Sequence, residues 1–145
     1  MKKYKIGYTA GVFDMFHVGH LNIIKRAKEQ CEHLIVAVST DELCESYKGK
    51  KPIIPFCDRV EIVKSVRYVD EVVVQEDRDK IKAFEKYGFD ALFVGDDWKG
   101  DEMFAKTEEH MKKFGKKVVY LPRTEGVSSK MLAKIKSERS DANVH

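Results

Sequence analysis

The chain has 145 residues, 43% of them hydrophobic and 35% charged, with a formal net charge of +3. That is one domain's worth of sequence, able to bury roughly two-thirds of the surface its unfolded form exposes. Acids nearly match the lysines and arginines, so composition carries no footprint for nucleic acid, and no stretch is long and apolar enough for stable membrane insertion.

Apolar, β-rich runs alternate with helical patterns along the chain. YKIGYTA (4–10) predicts a strand, and HLNIIKRAKEQC (20–31) a helix with Leu21, Ile24, Ala27 and Cys31 on one face. HLIVAVS (33–39) predicts the second strand, followed by a loop through YKGKKPIIP (47–55) and a helix over DRVEIVKSV (58–66). DEVVVQ (70–75) reads as a third strand and RDKIKAFEKYG (78–88) as a helix closed by Gly88. DALFVG (90–95), a helix near 102–114 ending at Gly115, the strand KKVVYL (116–121) and a last helix from Ser128 complete the pattern. Short strands apolar on both faces belong between two helix layers. The expectation is an α/β fold: one Rossmann-like, doubly wound domain with a mostly parallel five-stranded sheet, over residues 1–136. The polar end SERSDANVH, with residues 137–145, is expected to be a flexible tail.

Cys31, Cys44 and Cys57 form no CxxC pair, which argues against a metal finger and a secreted disulfide framework. The opening MKKYKIGYTAG lacks the apolar run of a signal peptide. Reduced thiols and a cytoplasmic location are expected.

In sheets of this class ligands collect beyond the carboxyl ends of the strands. The segments there are GVFDMFHVGH, STDELCESYKGKK, GDDWKGD and PRTEGVSSK, which would bring His17, His20, Lys48, Lys50, Arg123 and Thr124 to one rim. Cations and hydroxyls in that number suit a polyphosphate. In RTEGVSSK, Gly126 permits an unusual turn and Ser128 caps the next helix, whose free amides would face an anion. Taken singly, a histidine pair is more often a packing accident and a lysine run a solvated loop; the joint placement on one rim favours function. Walker A, GxGxxG, GxSxG and HExxH are all absent, which argues against a P-loop kinase, a conventional dinucleotide fold, serine hydrolysis and a catalytic metal held by the histidines.

GVFDMFHVGH resembles the GxFDxxHxGH signature of the cytidylyltransferase family, within the HxGH nucleotidyltransferase superfamily, and RTEGVSS resembles its second signature, RTEGIST. STDEL, RYVDEV and GDDWKG fall between them in the family's order, so the resemblance reaches to about Ile135. It implies transfer of CMP from CTP to a phosphate monoester with release of pyrophosphate, glycerol 3-phosphate being the expected acceptor and CDP-glycerol the product. By motif position His17, His20, Lys48 and Arg123 would be catalytic. Val12, Phe13, Asp14, Gly19, Asp97, Arg123, Thr124, Ser128 and Ser129 would bind the nucleotide, and Lys48, Lys50, Arg59 and Arg67 the acceptor. Mg²⁺ would accompany CTP without a protein ligand set, and the chain would form a homodimer. Three positions depart from the pattern: Val12 and Ser129 replace threonines, and Cys57 stands where an acid is expected. Ethanolamine phosphate, choline phosphate or another polyol phosphate as acceptor, ATP in place of CTP, and a nucleotide-sensing module without turnover stay open.

Overall fold

The computed structural model describes residues 2–122. Five strands, β1 (Tyr4–Gly11), β2 (Cys31–Ser39), β3 (Glu71–Gln75), β4 (Ala91–Gly95) and β5 (Lys117–Leu121), form one sheet in the order β3-β2-β1-β4-β5. Every pairing is parallel, so the sheet is parallel throughout the described residues. Five helices join the strands: α1 (Val18–Gln30), α2 (Asp41–Lys48), α3 (Phe56–Lys64), α4 (Lys80–Tyr87) and α5 (Glu102–Lys112).

The period-2 geometry of β2 divides the core. Leu34, Val36 and Val38 face one cluster with Ile24 and Ala27 of α1 and Val63 of α3. Ile35 and Ala37 face the other, with Phe84 of α4 and Phe104 and Met111 of α5. Helices therefore cover both faces, as the uninterrupted apolar strands demand. Close packing needs a glycine at position 7, where a Cβ would lie 2.6 Å from the Phe93 ring and 2.7 Å from Cys31 Sγ. At the amino edge, Asp90 accepts the Ile6 amide and the Lys116 ammonium, fixing the starts of β1 and β5.

Most helix ends fall within two residues of expectation, but two differences matter. Cys31 opens β2 instead of closing α1, and residues 41–48, which run into the expected loop 47–55, form α2. That helix is locally specified: the Thr40 hydroxyl accepts the Leu43 amide, Asp41 and Glu42 suit the helix N-terminus, and Gly49 ends it at φ 76°.

The strand order reverses between β1 and β4. Their ladder pairs only Gly7 with Ala91 and Tyr8 with Leu92, against seven partner pairs between β1 and β2. Beyond it the Thr9 hydroxyl reaches Phe93 O at 2.9 Å, and the main chains then part. This switch point, at the carboxyl ends, is where such a sheet opens a crevice.

Candidate functional site

The turn leaving β1 at the switch point carries unusual backbone. Phe13 (φ 54°) and Met15 (φ 48°) are both left-handed, a conformation that costs a non-glycine residue roughly 1–3 kcal/mol and concentrates at functional sites. Tertiary contacts hold it there. The Phe13 ring is buried against Phe16 and His20, and a Cβ on Gly11 would meet it at 3.2 Å. Between the two strained residues, both carboxylate oxygens of Asp14 accept backbone amides, from Ile53 and Ile54 at 2.8 Å each.

His17 and His20 start α1 as a reciprocal cap. His17 Nδ1 accepts the Gly19 amide at 3.0 Å, and the His17 amide donates to His20 Nδ1 at 3.2 Å. Serine and glutamate usually divide these two tasks. The rings stack with centroids 3.9 Å apart. An Nδ1 that accepts an N–H bears no proton, so the hydrogen-bond pattern assigns each neutral ring its proton on Nε2. Burial, reinforced by His17 and opposed by Asp14, pushes the His20 pKa down to about 4. At neutral pH His20 is thus an uncharged Nε2–H donor at a helix N-terminus. Such a pair can hydrogen-bond phosphate oxygens without competing for a proton.

The lysines reach this turn indirectly. Lys48 ends α2 and Lys50 lies in the exposed loop 49–55, whose Ile53 and Ile54 amides are the ones Asp14 holds. Lys50 therefore stands three residues from an anchor on the histidine turn. Val12 contributes its carbonyl, which accepts from Arg59 Nη1 at 2.7 Å. Beyond β4, a Cβ on Gly95 would lie 2.6 Å from Asp97 Oδ1, so the Asp97 carboxylate folds back over the strand end where only glycine leaves room. Trp98 follows, 40% exposed and tilted against Phe104.

Arg59 and Arg67, expected together on the acceptor, are placed differently. Arg59 is fully buried and gives N–H bonds to Ile54 O, Val12 O, Ser39 O and the Asp41 carboxylate, all within 2.9 Å. It braces the site from beneath. Arg67 lies in the turn before β3, where Asp70 N bonds Leu34 O, and its guanidinium packs on and hydrogen-bonds Tyr68. That is the amino edge of the sheet, so within one chain Arg67 does not join the histidines. Arg59 sits in the first half of α3 and Arg67 in the turn that follows the helix, which separates them. Arg123, Thr124, Ser128 and Ser129 lie outside the described residues; the chain leading to them is fixed where Arg26 Nη1 bonds Pro122 O at 2.7 Å.

A further buried cation was not anticipated. Lys80, 6% exposed, opens α4 next to the carboxyl end of β3, with Nζ on Gln75 Oε1 at 2.8 Å; Gln75 Nε2 in turn bonds Ser39 Oγ at 2.8 Å. Burial, then Arg78, pushes its pKa down to about 8 against the pull of Asp77 and Asp79. A lysine at the first position of a helix opposes the helix dipole, the one local hint that the sequence offered. Among the described residues no three His, Cys, Asp or Glu side chains gather to hold a metal ion, and no helix is long and apolar enough to cross a membrane.

A family model described as Cytidylyltransferase-like matches residues 8–135. The chain is 39% identical over 131 residues to the glycerol-3-phosphate cytidylyltransferase of Bacillus subtilis (strain 168), covering 90% of this chain and 93% of that protein. It is 41% identical over 90 residues to the FAD synthase of Pyrococcus abyssi, 61% of each chain. A crystal structure of the lipopolysaccharide core biosynthesis protein from Thermoplasma volcanium superposes with a TM-score of 0.72 at 27% identity, over 84% of this chain and 99% of that one.

Proposed function

The chain belongs to the cytidylyltransferase-like family, and from that premise we propose that it transfers CMP from CTP to glycerol 3-phosphate, forming CDP-glycerol and releasing pyrophosphate. Relatives of that name match about nine-tenths of the chain. The observation that carries the proposal is the histidine pair, locked as Nε2–H donors on a strained turn at the switch point.

An oxygen of the acceptor's phosphate attacks the α-phosphorus of CTP. The new P–O bond forms as the α–β bridging bond breaks, and that electron pair leaves with pyrophosphate. The nucleophile is anionic at neutral pH and needs no general base. The difficulty is bringing two polyanions together and stabilising the charge that builds on the phosphates. His17 and His20 do so by donation from neutral rings. Lys48 at the end of α2 and Lys50 in the tethered loop add positive charge, and Arg123, Thr124, Ser128 and Ser129 supply the second signature's contacts. Val12, Phe13, Asp14, Gly19 and Asp97 shape the nucleotide side. The described residues do not build a magnesium cage; Mg²⁺ is proposed to enter on the phosphate oxygens of CTP.

A homodimer and a cytoplasmic location complete the proposal. The edge strand β3 and helix α3 expose Val74 (48%) and Ile62 (41%), apolar surface that a second copy would cover. The likeness to FAD synthases favours adenylyl transfer as a second reading. The test is a matrix of CTP and ATP, with Mg²⁺, against glycerol 3-phosphate, ethanolamine phosphate and choline phosphate, with products identified. CDP-glycerol with stoichiometric pyrophosphate is expected. AMP transfer would establish the second reading, and nucleotide binding without pyrophosphate would make the chain a sensor.

A further inference from the structure

The loop 49–55 is a short exposed segment carrying Lys50 and Lys51, bounded by Gly49 at φ 76° and Pro55. Left alone, such a segment samples many conformations, and ordering it for a ligand costs binding energy. Here its Ile54 peptide unit is held from opposite sides. The N–H goes to Asp14 on the histidine turn at 2.8 Å, and the carbonyl accepts from Arg59 Nε at 2.9 Å. Arg59 is itself pinned to Val12 O at 2.7 Å, Ser39 O at 2.8 Å and Asp41 Oδ1 at 2.7 Å. The second Asp41 oxygen accepts the Phe56 amide where α3 begins.

We propose that Asp41 and Arg59 are positioning residues: acting through Ile54, they clasp the lysine loop to the histidine turn and so set Lys48 and Lys50 against the phosphates. Four of the five guanidinium N–H groups are committed and the side chain has no exposed surface, so Arg59 serves as a joint between the exits of β1 and β2, the start of α2 and the loop. The planar fork suits that task; a lysine in the same place would reach fewer of the acceptors in fixed directions. Asp41 supplies the counter-charge that makes burial of the guanidinium tolerable. The catalytic consequence rests on the proposed phosphate transfer, whereas the mechanical clasp does not.

Two readouts on Asp41→Ala test it. Limited trypsinolysis well below the unfolding temperature should cut after Lys48 or Lys50 faster than in the unaltered protein, the bond after Lys51 being protected by Pro52. The kcat/KM for CMP transfer should fall roughly 10- to 100-fold, the scale expected of a small misplacement. In a Lys48→Ala, Lys50→Ala background the same substitution should cost almost nothing more, because its effect passes through those lysines. Asp41→Ala strands a buried guanidinium, so Asp14→Asn provides a second arm that frees the loop from the opposite side and should expose the same cleavage sites. Unchanged cleavage in a folded variant overturns the clasp; additive losses with the lysine substitutions overturn its catalytic role. If the unaltered protein transfers no CMP, the functional reading fails while the proteolysis arms still decide the clasp.

Discussion

Replacing Lys80 by methionine should stabilise the fold near neutral pH. The pKa falls from its ordinary 10.5 to about 8. That drop corresponds to about 3 kcal/mol by which the folded environment disfavours the ammonium. Methionine removes the charge but leaves Gln75 Oε1 without its donor, which costs about 1–3 kcal/mol. The net gain at pH 7 is therefore small, on the order of 1 kcal/mol. The pH dependence is the sharper test. Below pH 8 the ammonium persists in both folded and unfolded states and the full penalty applies. Between pH 8 and 10.5 the folded state has lost the proton while the unfolded state keeps it, so stability rises with pH. Above 10.5 the penalty is gone. Urea unfolding of both proteins from pH 7 to 10 should show the unaltered chain gaining roughly 2–3 kcal/mol on the variant. A difference that stays flat across that range would refute the account of Lys80 as a strained, buried cation.

Either His17→Ala or His20→Ala should cut turnover by about 100- to 1000-fold in a protein that still unfolds cooperatively, measured as pyrophosphate release; near-normal turnover in both removes the donor role. Imidazole ¹⁵N shifts should show His20 neutral with the proton on Nε2 through pH 5 and titrating near 4, whereas a midpoint near 6.5 would contradict its burial. Gly7→Ala should lower stability by about 1–3 kcal/mol, read by thermal unfolding, because the new methyl meets Phe93 and Cys31 inside contact distance. For Asp90, burial raises the carboxyl pKa, but the Lys116 and Ile6 hydrogen bonds and the Lys116 charge outweigh it and hold the group below 3.8. Asp90→Asn should accordingly destabilise at pH 7, and the deficit should close as pH falls through the native carboxyl's depressed value.

The strand–helix alternation was legible because it is written in local periodicity: β2 is apolar on both faces, and Gly88 and Gly115 mark helix ends with positive φ. The turn at GVFDMFHVGH is local too, since its backbone and the histidine cap lie within ten consecutive residues. Helix α2 was equally local, with Thr40 and Gly49 at its ends, and lay hidden behind the lysines that follow it. What only the tertiary structure decided is which charges stay at the surface and which are buried to hold the frame. Arg59 and Arg67 are eight positions apart in sequence and alike in chemistry. Arg59, within α3, is drawn onto the Val12 carbonyl, whereas Arg67, in the turn after the helix, pairs with Tyr68 before β3. Lys80 became distinctive only when packing beside Gln75 and Ser39 removed its water. Local spacing fixes backbone conformation and hydrogen-bond reach within a turn, whereas desolvation and long-range pairing exist only after distant segments have closed around a side chain.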